Sequence, residues 1–268
     1  MSAPVHVERA DDERLSDFAG LRYPERRMHL EVSGGFYVGE GTLVVERMIS
    51  LGAPIRAVAT TPAVHERHRD ALDRVDAPVY VLERAMLNEL VGFDLHRGIV
   101  ASATRPMIPD VTEVLADPQV RTVLALEGLN DFENLGSIMR SAAALGADAV
   151  LLCPQCADPF YRRCVRVSMG HVLALRLGRL PAWPEAATML HAAGFVSCAL
   201  TPNGTTELTA AFDGIERIAL LLGAEGPGLS VPALETADRR VAIEMANDVD
   251  SLNVAVAAAI ALHAAIAR

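Results

Sequence analysis

Uninterrupted apolar runs recur through the second half of the chain and end in polar, often glycine-containing loops. Residues 122–126, 149–152, 195–200 and 218–222 lack the regular polar alternation of a strand with one solvated face. Such runs are typical of strands that are buried on both faces of a parallel sheet. The pattern therefore predicts an α/β fold built on a parallel sheet.

The segment between the first two runs has helical periodicity. Its apolar residues fall at the spacing of one helix face, namely Leu135, Ile138, Met139, Ala142 and Leu145. Asn134 is a suitable N-cap for this helix, and Gly146 is a suitable residue to end it. Strand, helix and strand then form a βαβ unit, in which ligands bind at the carboxyl ends of the strands.

Two polar residues of this unit are not required by the fold. Asn134 lies where the strand end meets the helix, and Arg140 lies off the apolar face among small neighbours. Small residues around one arginine leave space for a ligand or a second chain. The alternative is that Asn134 only caps the helix and that Arg140 is a solvated charge. The loop has no G-x-G-x-x-G motif and no P-loop lysine, so it does not predict a dinucleotide or nucleoside-triphosphate site.

Two later loops also carry polar residues at strand ends. The fourth apolar run leads into residues 223–230, where three glycines permit close approach of a ligand to the main chain and Glu225 supplies a carboxylate. A last strand is predicted at 241–245, and Ser251 and Asn253 then open a C-terminal helix. That helix is apolar around its whole girth, which is typical of a helix buried in a core or an interface.

The pattern divides the chain into four segments. Residues 1–21 are charged and lack apolar periodicity, which predicts a mobile tail. Residues 22–105 predict a small α/β domain. A proline-bracketed linker with one short helix, 106–118, leads to the larger α/β domain at 119–268. Shorter predicted elements are a helix at 42–51, strands at 55–59, 79–82, 98–101 and 172–175, and an arginine-carrying helix at 159–169.

The charge is acidic overall but locally basic. All 24 basic residues are arginines, and the net charge of −10 argues against a protein coated for non-specific nucleic-acid binding. One basic group is formed by Arg162, Arg163 and Arg166, and a second by Arg26 and Arg27. Arginine suits bidentate contacts with phosphate, so both groups are candidate contacts for a phosphate backbone.

The cysteines do not predict a metal site. Cys153 and Cys156 have C-x-x-C spacing, but no second pair completes a tetrahedral zinc site, so we expect packing thiols and no metal. No apolar run approaches the roughly 18 residues that a membrane helix needs. The polar, acidic amino terminus has no signal-peptide pattern, and the expectation is a cytoplasmic protein.

The three strand-end loops, in this order and spacing, resemble the SPOUT superfamily in its SpoU (TrmH-like) branch of RNA ribose 2′-O-methyltransferases. Asn134, followed six residues later by Arg140, matches the first family motif. Residues 223–229 match the G-x-E-x-x-G-L turn. Residues 243–245 and 251–254 match the third motif, and this resemblance covers the whole domain at 119–268.

Two further segments add to the resemblance, and two positions depart from it. Residues 166–170 are similar to a segment common in the family, and residues 36–46 resemble part of a ribosomal-protein-like substrate-binding domain. Glu244 stands where the family usually has proline, and Asn247 stands where a glycine is common. Asparagine adopts left-handed backbone conformations more readily than most residues, so we expect the loop shape to persist. Glu244 adds a charge beside the expected cofactor site.

The resemblance implies a knotted (deep trefoil) parallel-sheet methyltransferase domain, preceded by a small α/β substrate-binding domain. It implies S-adenosylmethionine as the cofactor, held largely by backbone groups near Thr201, Gly223, Ile243, Met245 and Leu252. It also implies a homodimer in which each active site lies near the subunit interface.

The implied reaction is methyl transfer to a ribose 2′-OH of rRNA or tRNA. The residues that the resemblance assigns to the active site are Asn134, Arg140, Glu225, Ser251 and Asn253. Because arginine stays protonated in proteins, we expect Arg140 to clamp an RNA phosphate and stabilise charge on the 2′-oxygen rather than to act as a base. We expect Asn134 to orient the ribose, and the other three residues to shape the pocket and hold Arg140.

Two other functions fit the same residues. One is a SPOUT enzyme that methylates a base nitrogen, a reaction that needs no 2′-OH. The other is a non-catalytic RNA-binding homologue that lost cofactor affinity through Glu244. A deoxyribose at the target nucleotide distinguishes ribose methylation from base methylation. Calorimetry with S-adenosylmethionine distinguishes a cofactor-binding enzyme from the non-catalytic homologue. The sequence leaves the RNA and the nucleotide open.

Overall fold

The chain forms two compact units. The computed structural model describes residues 4–246 and 250–267, without the side chains of residues 24–26 and 209. The first unit comprises Met1–Pro106 and Phe160–Leu173, and the second comprises Met107–Pro159 and Ala174–Arg268. None of the helices in the described ranges has the length and apolar character needed to span a membrane.

The central strands of the second unit fall where the apolar runs predict them. The first unit contains β1 (Val5–His6), β2 (Phe36–Glu40), β3 (Ile55–Thr60), β4 (Val79–Val81) and β5 (Ile99–Thr104). The second contains β6 (Thr122–Leu126), β7 (Ala149–Leu152), β8 (Leu177–Arg179), β9 (Val196–Leu200), β10 (Thr206–Glu207), β11 (Ile218–Leu222) and β12 (Arg239–Ala242). The runs at 122–126, 149–152 and 218–222 are confirmed with their predicted bounds.

The helices are mostly short. In chain order they are α1 (Pro24–Ser33), α2 (Thr42–Ser50), α3 (Pro62–Arg67), α4 (Arg69–Leu72), α5 (Arg84–Val91), α6 (Val111–Leu115), α7 (Phe132–Leu145), α8 (Arg162–Val167), α9 (Glu185–Ala192), α10 (Val231–Thr236) and α11 (Val254–Ile266). Short 3-10 helices add Glu13–Phe18, His171–Ala174 and Leu208–Ala210. The helices predicted in the segments 42–51 and 106–118 are confirmed as α2 and α6.

The first unit is a five-stranded mixed sheet in the order β1-β4-β3-β5-β2. β5 runs antiparallel to both β2 and β3, whereas β4 runs parallel to β1 and β3. Residues from the sheet and from the segments before β2 pack into one core.

The amino-terminal segment belongs to that core, so the prediction of a mobile tail is wrong from residue 4 onward. β1 pairs with β4, and Leu15 and Phe18 are fully buried. Leu21 follows at the same spacing and is 1% exposed. A spacing of three residues is the period of a 3-10 helix, and the pattern of an α-helix or a strand does not detect it.

The second unit is a seven-stranded sheet in the order β10-β12-β9-β11-β6-β7-β8, with every described pair parallel. β6 and β11 lie side by side near its centre and are buried along their whole length. The chain continues from β6 toward one edge through β7, whereas β11 lies on the other side of β6. Ligands of α/β sheets bind outside the carboxyl ends of strands at such a change of direction.

The C-terminal helix α11 packs against α7 with a face of small residues. Ala258, Ala261 and Ala265 on this face are at most 1% exposed. Val256 and Ile260 lie on another face and remain exposed. The sequence predicts that α11 is buried on most sides. Within this chain, that prediction is confirmed only for the alanine face.

Three predicted features of the second unit are corrected. The segment at 106–118 is not a free linker, because Val111 and Val114 in α6 are buried in the core of this unit. The strand predicted at 172–175 is wrong: a 3-10 helix ends at Ala174 and the strand follows as β8. The last strand ends at Ala242, three residues earlier than predicted, so the third motif lies in a loop.

The domain boundary is also corrected, because Phe160–Leu173 belongs to the first unit. This segment contains α8, which packs on β2. Cys164 and Val165 of α8 are fully buried. Helical periodicity shows which residues of a helix face a core, but it does not show which sheet supplies that core.

Candidate active site

A cavity of about 390 Å³ opens at the carboxyl ends of β9, β11 and β12 in the second unit. Its walls are formed by the loops after these strands and by the residues that lead into α11. The residues predicted to hold a cofactor all line it: Thr201, Gly223, Ile243, Met245 and Leu252. The fold thus brings together residues from separate loops in the arrangement that the motif spacing predicts.

The loop after β11 is tightly folded and presents its main chain to this cavity. A Cβ atom on Gly223 would lie 2.1 Å from the carbonyl carbon of Gly228, so no side chain fits there. The Gly228 amide donates to the Ala224 carbonyl at 3.0 Å. Gly226 and Gly228 have φ angles of 84° and 71°, which favour glycine. A ligand can therefore approach the backbone of this loop closely.

The loop after β12 places alternate residues at the cavity. Ile243 and Met245 line the cavity, whereas Glu244 between them is exposed and is not part of the wall. The charge that replaces the family's proline therefore lies outside the cavity wall. Asn247, the second departure from the family pattern, lies outside the described residues.

The side chain of Asn253 joins the three motif loops. Its Nδ2 donates to Asn134 Oδ1 at 2.9 Å and to Glu225 Oε1 at 3.0 Å. Its Oδ1 accepts from the backbone amides of Ala255 at 2.9 Å and Val256 at 3.4 Å, so Asn253 is also the N-cap of α11. A backbone amide only donates and an ionised carboxylate only accepts, and these partners fix the orientation of the Asn253 amide.

The helix that carries Asn134 begins earlier than predicted, at Phe132. Its N-cap is Asp131, whose Oδ1 accepts from the amides of Glu133 at 2.9 Å and Asn134 at 2.8 Å. The prediction of Asn134 as N-cap is wrong because aspartate is an equally good cap and precedes it in the same loop. The Asn134 side chain is therefore available to Asn253.

Arg140 is exposed on α7 and does not line the cavity. Its guanidinium forms no hydrogen bond or ion pair within the described part of the chain. Within the described part of one chain, the pocket residues therefore do not contact Arg140. Glu225 and Asn253 bond to each other instead, and Ser251 lies in the cavity wall. The helical rise between Asn134 and Arg140 is about 9 Å, so the two residues lie between one and two turns apart on α7.

Glu127 is a site residue that the sequence analysis did not identify. Its two carboxylate oxygens accept from the amide and the hydroxyl of Ser230, each at 2.8 Å. Ser230 also caps α10. Because Glu127 follows β6 and Ser230 follows the glycine loop, this pair ties the first motif loop to the second. The available signal was a carboxylate directly after a buried strand, which is the same signal that identified Glu225.

The first predicted arginine group lies in the first unit, and its three members differ in their exposure to solvent. Arg163 and Arg166 are exposed. Arg162 is largely buried: its guanidinium pairs with Glu40 and lies 4.9 Å from the ring centroid of Phe93. Arg162 therefore stabilises the first unit, and only the other two are open to a ligand.

The second arginine group does not form a surface patch. Arg27 is 2% exposed, and its guanidinium donates to Asp17 O at 2.6 Å and to Glu31 Oε1 at 3.3 Å. Desolvation lowers the pKa of Arg27 from its ordinary value, although the Glu31 carboxylate acts in the opposite direction. The prediction of Arg27 as an RNA contact is wrong because this group is buried. The Arg26 side chain lies outside the described residues.

The C-x-x-C cysteines are packing thiols, as predicted. Burial raises the pKa of Cys153 to about 12. The Cys156 thiol donates to Leu126 O at 3.1 Å, at the end of β6. All the cysteines are free, and no group of three or more His, Cys, Asp or Glu gathers in the described residues as metal ligands would.

Comparisons with known proteins identify the family and the fold. The SpoU rRNA methylase family model matches residues 121–263. An uncharacterised tRNA/rRNA methyltransferase of Mycobacterium bovis is 46% identical over 257 residues, which cover 94% of this chain and 88% of that protein. The 23S rRNA (guanosine-2′-O-)-methyltransferase RlmB of Haemophilus ducreyi is 31% identical over 206 residues, 72% of this chain and 80% of that protein.

A solved structure shows the same fold. The AdoMet-bound rRNA methyltransferase from Sinorhizobium meliloti superposes with a TM-score of 0.82 at 24% identity, covering 97% of this chain and 96% of that one. The matched family region contains the loops of Asn134 and Glu225 and the N-cap of α11. The chain therefore belongs to the SpoU rRNA methylase family and is an RNA methyltransferase of that family.

Proposed function

We propose that this protein transfers a methyl group from S-adenosylmethionine to a ribose 2′-OH of rRNA or tRNA. The observation that carries the proposal is the meeting of the three motif loops at Asn253, beside a cavity lined by all the expected cofactor residues. The 2′-O position is also the one in the name of the Haemophilus ducreyi relative.

The cavity fits S-adenosylmethionine in size and in the nature of its walls. Its volume of about 390 Å³ lies within the range of roughly 300–1,000 Å³ that is usual for small-molecule sites. The apolar side chains of Ile243 and Leu252 face it together with the backbone of the glycine loop, where a Cβ at Gly223 would collide. When bound, the cofactor supplies an electrophilic methyl group. Glu244 is exposed and lies outside the cavity lining, which supports cofactor binding in this cavity.

Asn134 is the residue that orients the ribose. Asn253 donates to its Oδ1, which leaves the Asn134 amide nitrogen as a donor for a ribose or phosphate oxygen. Glu225 accepts the second hydrogen bond of the Asn253 amide and holds it in place. The residue that contacts substrate is thereby fixed to a wall of the cofactor cavity.

Arg140 stabilises negative charge and does not accept the proton of the 2′-OH. The 2′-OH loses its proton as the new O–CH₃ bond forms. A guanidinium that remains protonated cannot take this proton, which would pass to solvent water. It can instead bind the adjacent phosphate and stabilise the negative charge that develops on the 2′-oxygen. The exposed guanidinium, without a partner in the described residues, is available for this contact.

The active form that we propose is a homodimer formed through α11. Val256 and Ile260 lie one turn apart on the same side of α11, and they are 48% and 39% exposed. A two-fold axis lets two copies of such a stripe cover each other. Arg140 lies on α7, the helix that packs against α11, so this dimer places it near the subunit interface.

The deep trefoil knot is part of the same proposal. β12 lies beside β9, and the residues between β12 and α11 line the same cavity as the loops after β9 and β11. Passage of the C-terminal segment through an earlier loop brings these stretches together. The first unit is the proposed substrate-binding unit, with Arg163 and Arg166 among its exposed cations.

Product analysis tests the proposed reaction. Purified protein is incubated with rRNA or tRNA and methyl-labelled S-adenosylmethionine, and the RNA is digested to nucleosides. We expect the label in a 2′-O-methylnucleoside. Arg140→Ala should transfer methyl about 10²-fold more slowly or worse while binding the cofactor as the wild type does. Exposed Arg121, at the amino end of β6, provides the control Arg121→Ala. Label in a base, or Arg140→Ala activity within threefold of wild type, would contradict the assignment.

A further inference from the structure

A second cavity, of about 330 Å³, lies in the first unit where β2 ends and α2 begins. We refer to it as the β2–α2 cavity. Its polar and charged lining includes Glu40, Thr42, His96, Arg97 and Arg166. The three strand-end motif loops lie in the second unit, so this cavity requires a separate explanation.

Arg97 provides an unpaired positive charge at this cavity. It is exposed, and its guanidinium has no hydrogen bond or ion pair in the ranges that the structure describes. Its stem lies along the backbone of Gly41, where an added Cβ would lie 3.5 Å from Arg97 Cγ. This packing constrains the stem, so the guanidinium is presented beside the cavity rather than spread freely in solvent.

The one carboxylate in the lining is compensated by arginines. Glu40 pairs with Arg162, and its other oxygen lies 3.8 Å from Arg166. The Glu40 side chain is 10% exposed, whereas that of Arg166 is 47% exposed. The Glu40 carboxylate therefore holds Arg166 through an ion pair, while the Arg166 guanidinium still faces solvent. With Arg97 included, the charge around the cavity is positive.

The backbone at the cavity adds to this positive potential. α2 starts at Thr42 with Gly41 as N-cap, and within the described residues no side chain caps its first amides. Such amides and the helix dipole favour an anion. The opposite wall contains Met169, which has a φ angle of 52° and whose carbonyl accepts from Arg47. The Arg47 contact thus holds Met169 in the cavity lining that also contains Arg97 and Arg166.

We propose that the β2–α2 cavity binds a backbone phosphate of the substrate RNA, with Arg97 and Arg166 as its ligands. The proposal rests on the proposed function, because it takes the substrate to be RNA. It explains why the exposed arginines of α8 belong to the first unit: α8 brings Arg166 to the same cavity as Arg97, which lies far from it in the sequence.

Salt-dependent RNA binding tests this proposal on the full-length protein. The variants are Arg97→Ala and Arg166→Ala, and Arg74→Ala is the matched control because Arg74 is exposed in the same unit and lies outside the cavity. With rRNA as the probe, each cavity variant should bind about tenfold more weakly. The slope of log affinity against log salt should fall by about one for each arginine removed. Arg74→Ala should match wild type.

A second variant distinguishes charge from loss of structure. Thr42→Glu places a carboxylate in the first turn of α2, where it is favourable for the helix but repels a phosphate. We expect it to keep the stability of the protein and to weaken RNA binding, whereas Thr42→Gln should leave both the stability and the RNA affinity unchanged. If both variants bind RNA equally well, the charge of the cavity does not matter for RNA.

The remaining outcomes separate this proposal from the proposed function. Equal affinity and equal salt slope in the Arg97→Ala, Arg166→Ala and Arg74→Ala variants would overturn it, even if wild-type protein methylates RNA. Loss of inorganic phosphate binding in Arg97→Ala with unchanged RNA affinity would also overturn it, because the cavity would be a small-anion site only. Weaker RNA binding of the cavity variants supports it, even if no 2′-O-methyl product forms.

Discussion

Asn253 Nδ2 donates a 2.9 Å hydrogen bond to Asn134 Oδ1, and this bond joins two residues that lie 119 positions apart. The same Asn253 caps α11, and α11 packs against α7, the helix that contains Asn134. One side-chain amide therefore fixes the start of the last helix, the proposed ribose-orienting residue and, through Glu225, the glycine loop. The cofactor wall and the substrate contact are parts of one hydrogen-bonded group.

Replacing Asn253 should separate its two roles. Asn253→Ala removes both the helix cap and the bridge to Asn134, and it should lower the free energy of unfolding by about 1 kcal/mol. Asn253→Ser keeps a good cap but is too short for the bridge. We expect both variants to lose at least tenfold in the methyl-transfer rate, whereas only Asn253→Ala loses stability. Single-turnover kinetics and urea unfolding measure the two effects. Wild-type activity in Asn253→Ser would show that the bridge is not required.

Glu127 should position the glycine loop for cofactor binding. Glu127→Gln keeps one acceptor and loses the other, so one of the two bonds to Ser230 is lost. We expect a loss of about 1–2 kcal/mol in the free energy of unfolding. We also expect several-fold weaker binding of S-adenosylmethionine in calorimetry. Ser230→Ala, which keeps the backbone bond, should have a smaller effect on affinity. If stability falls while cofactor affinity is unchanged, Glu127 is a structural residue only.

Charge on the exposed stripe of α11 should disrupt the dimer. Ile260 is exposed and faces away from the alanine face, so Ile260→Arg should fold normally and sediment as a monomer or an aggregate. Because the start of α11 borders the cavity, we expect cofactor affinity to fall in the same variant. Met107, which is 91% exposed in the same unit, supplies the control Met107→Arg. A soluble Ile260→Arg monomer that binds the cofactor normally would show that the site does not depend on the dimer.

Asp238 should make stability pH-dependent. Its Oδ2 accepts from the amide and the hydroxyl of Ser197, each at 2.8 Å, and contacts His191 Nε2 at 2.9 Å. Burial acts to raise the carboxyl pKa, but the hydrogen bonds from Ser197 and His191 outweigh it, and the pKa lies below its ordinary value. Because the folded pKa is the lower one, this stabilisation is present above about pH 4 and is lost as the pH falls through the folded pKa.

The variant Asp238→Asn measures that contribution. At neutral pH it should lower the free energy of unfolding by about 1 kcal/mol. The loss is small because the Asp238 side chain is 39% exposed, so solvent screens its interactions. The difference from wild type should shrink as the pH falls from about 5 to about 3. Glu235→Gln, an exposed carboxylate nearby, should show no such trend. A difference that stays constant over this range would contradict the assignment.

The sequence predicted β6, β7, β9 and β11 because these strands are nearly uninterrupted apolar runs, whereas β8 and β10 lack such a run and were missed. It also predicted the cavity wall, since residues such as Gly223 and Ile243 follow buried strands and parallel strands end at one edge. It did not predict the core position of Leu15, because a period of three matches neither an α-helix nor a strand. It assigned the cap to Asn134 rather than Asp131 because the two residues are nearly equivalent at an N-cap.

Charged residues were the harder part of the prediction. Arg27 and Arg162 have the sequence signature of surface cations, yet their guanidinium groups are held by Glu31 and Glu40 within the first unit. Sequence proximity grouped Arg162 with Arg166, whereas the cavity groups Arg166 with Arg97. Which carboxylate meets which arginine depends on the tertiary packing, and composition does not contain that information.

The central claim is that the ribose 2′-oxygen is the methyl acceptor. The most direct measurement is single-turnover methyl transfer to the mapped target RNA and to the same RNA with one 2′-deoxy nucleotide at the target. We expect the deoxy RNA to bind with similar affinity, because its phosphates are unchanged. We expect it to accept no methyl group. Methyl transfer to the deoxy RNA at the rate of the natural RNA would contradict the account and assign the reaction to a base.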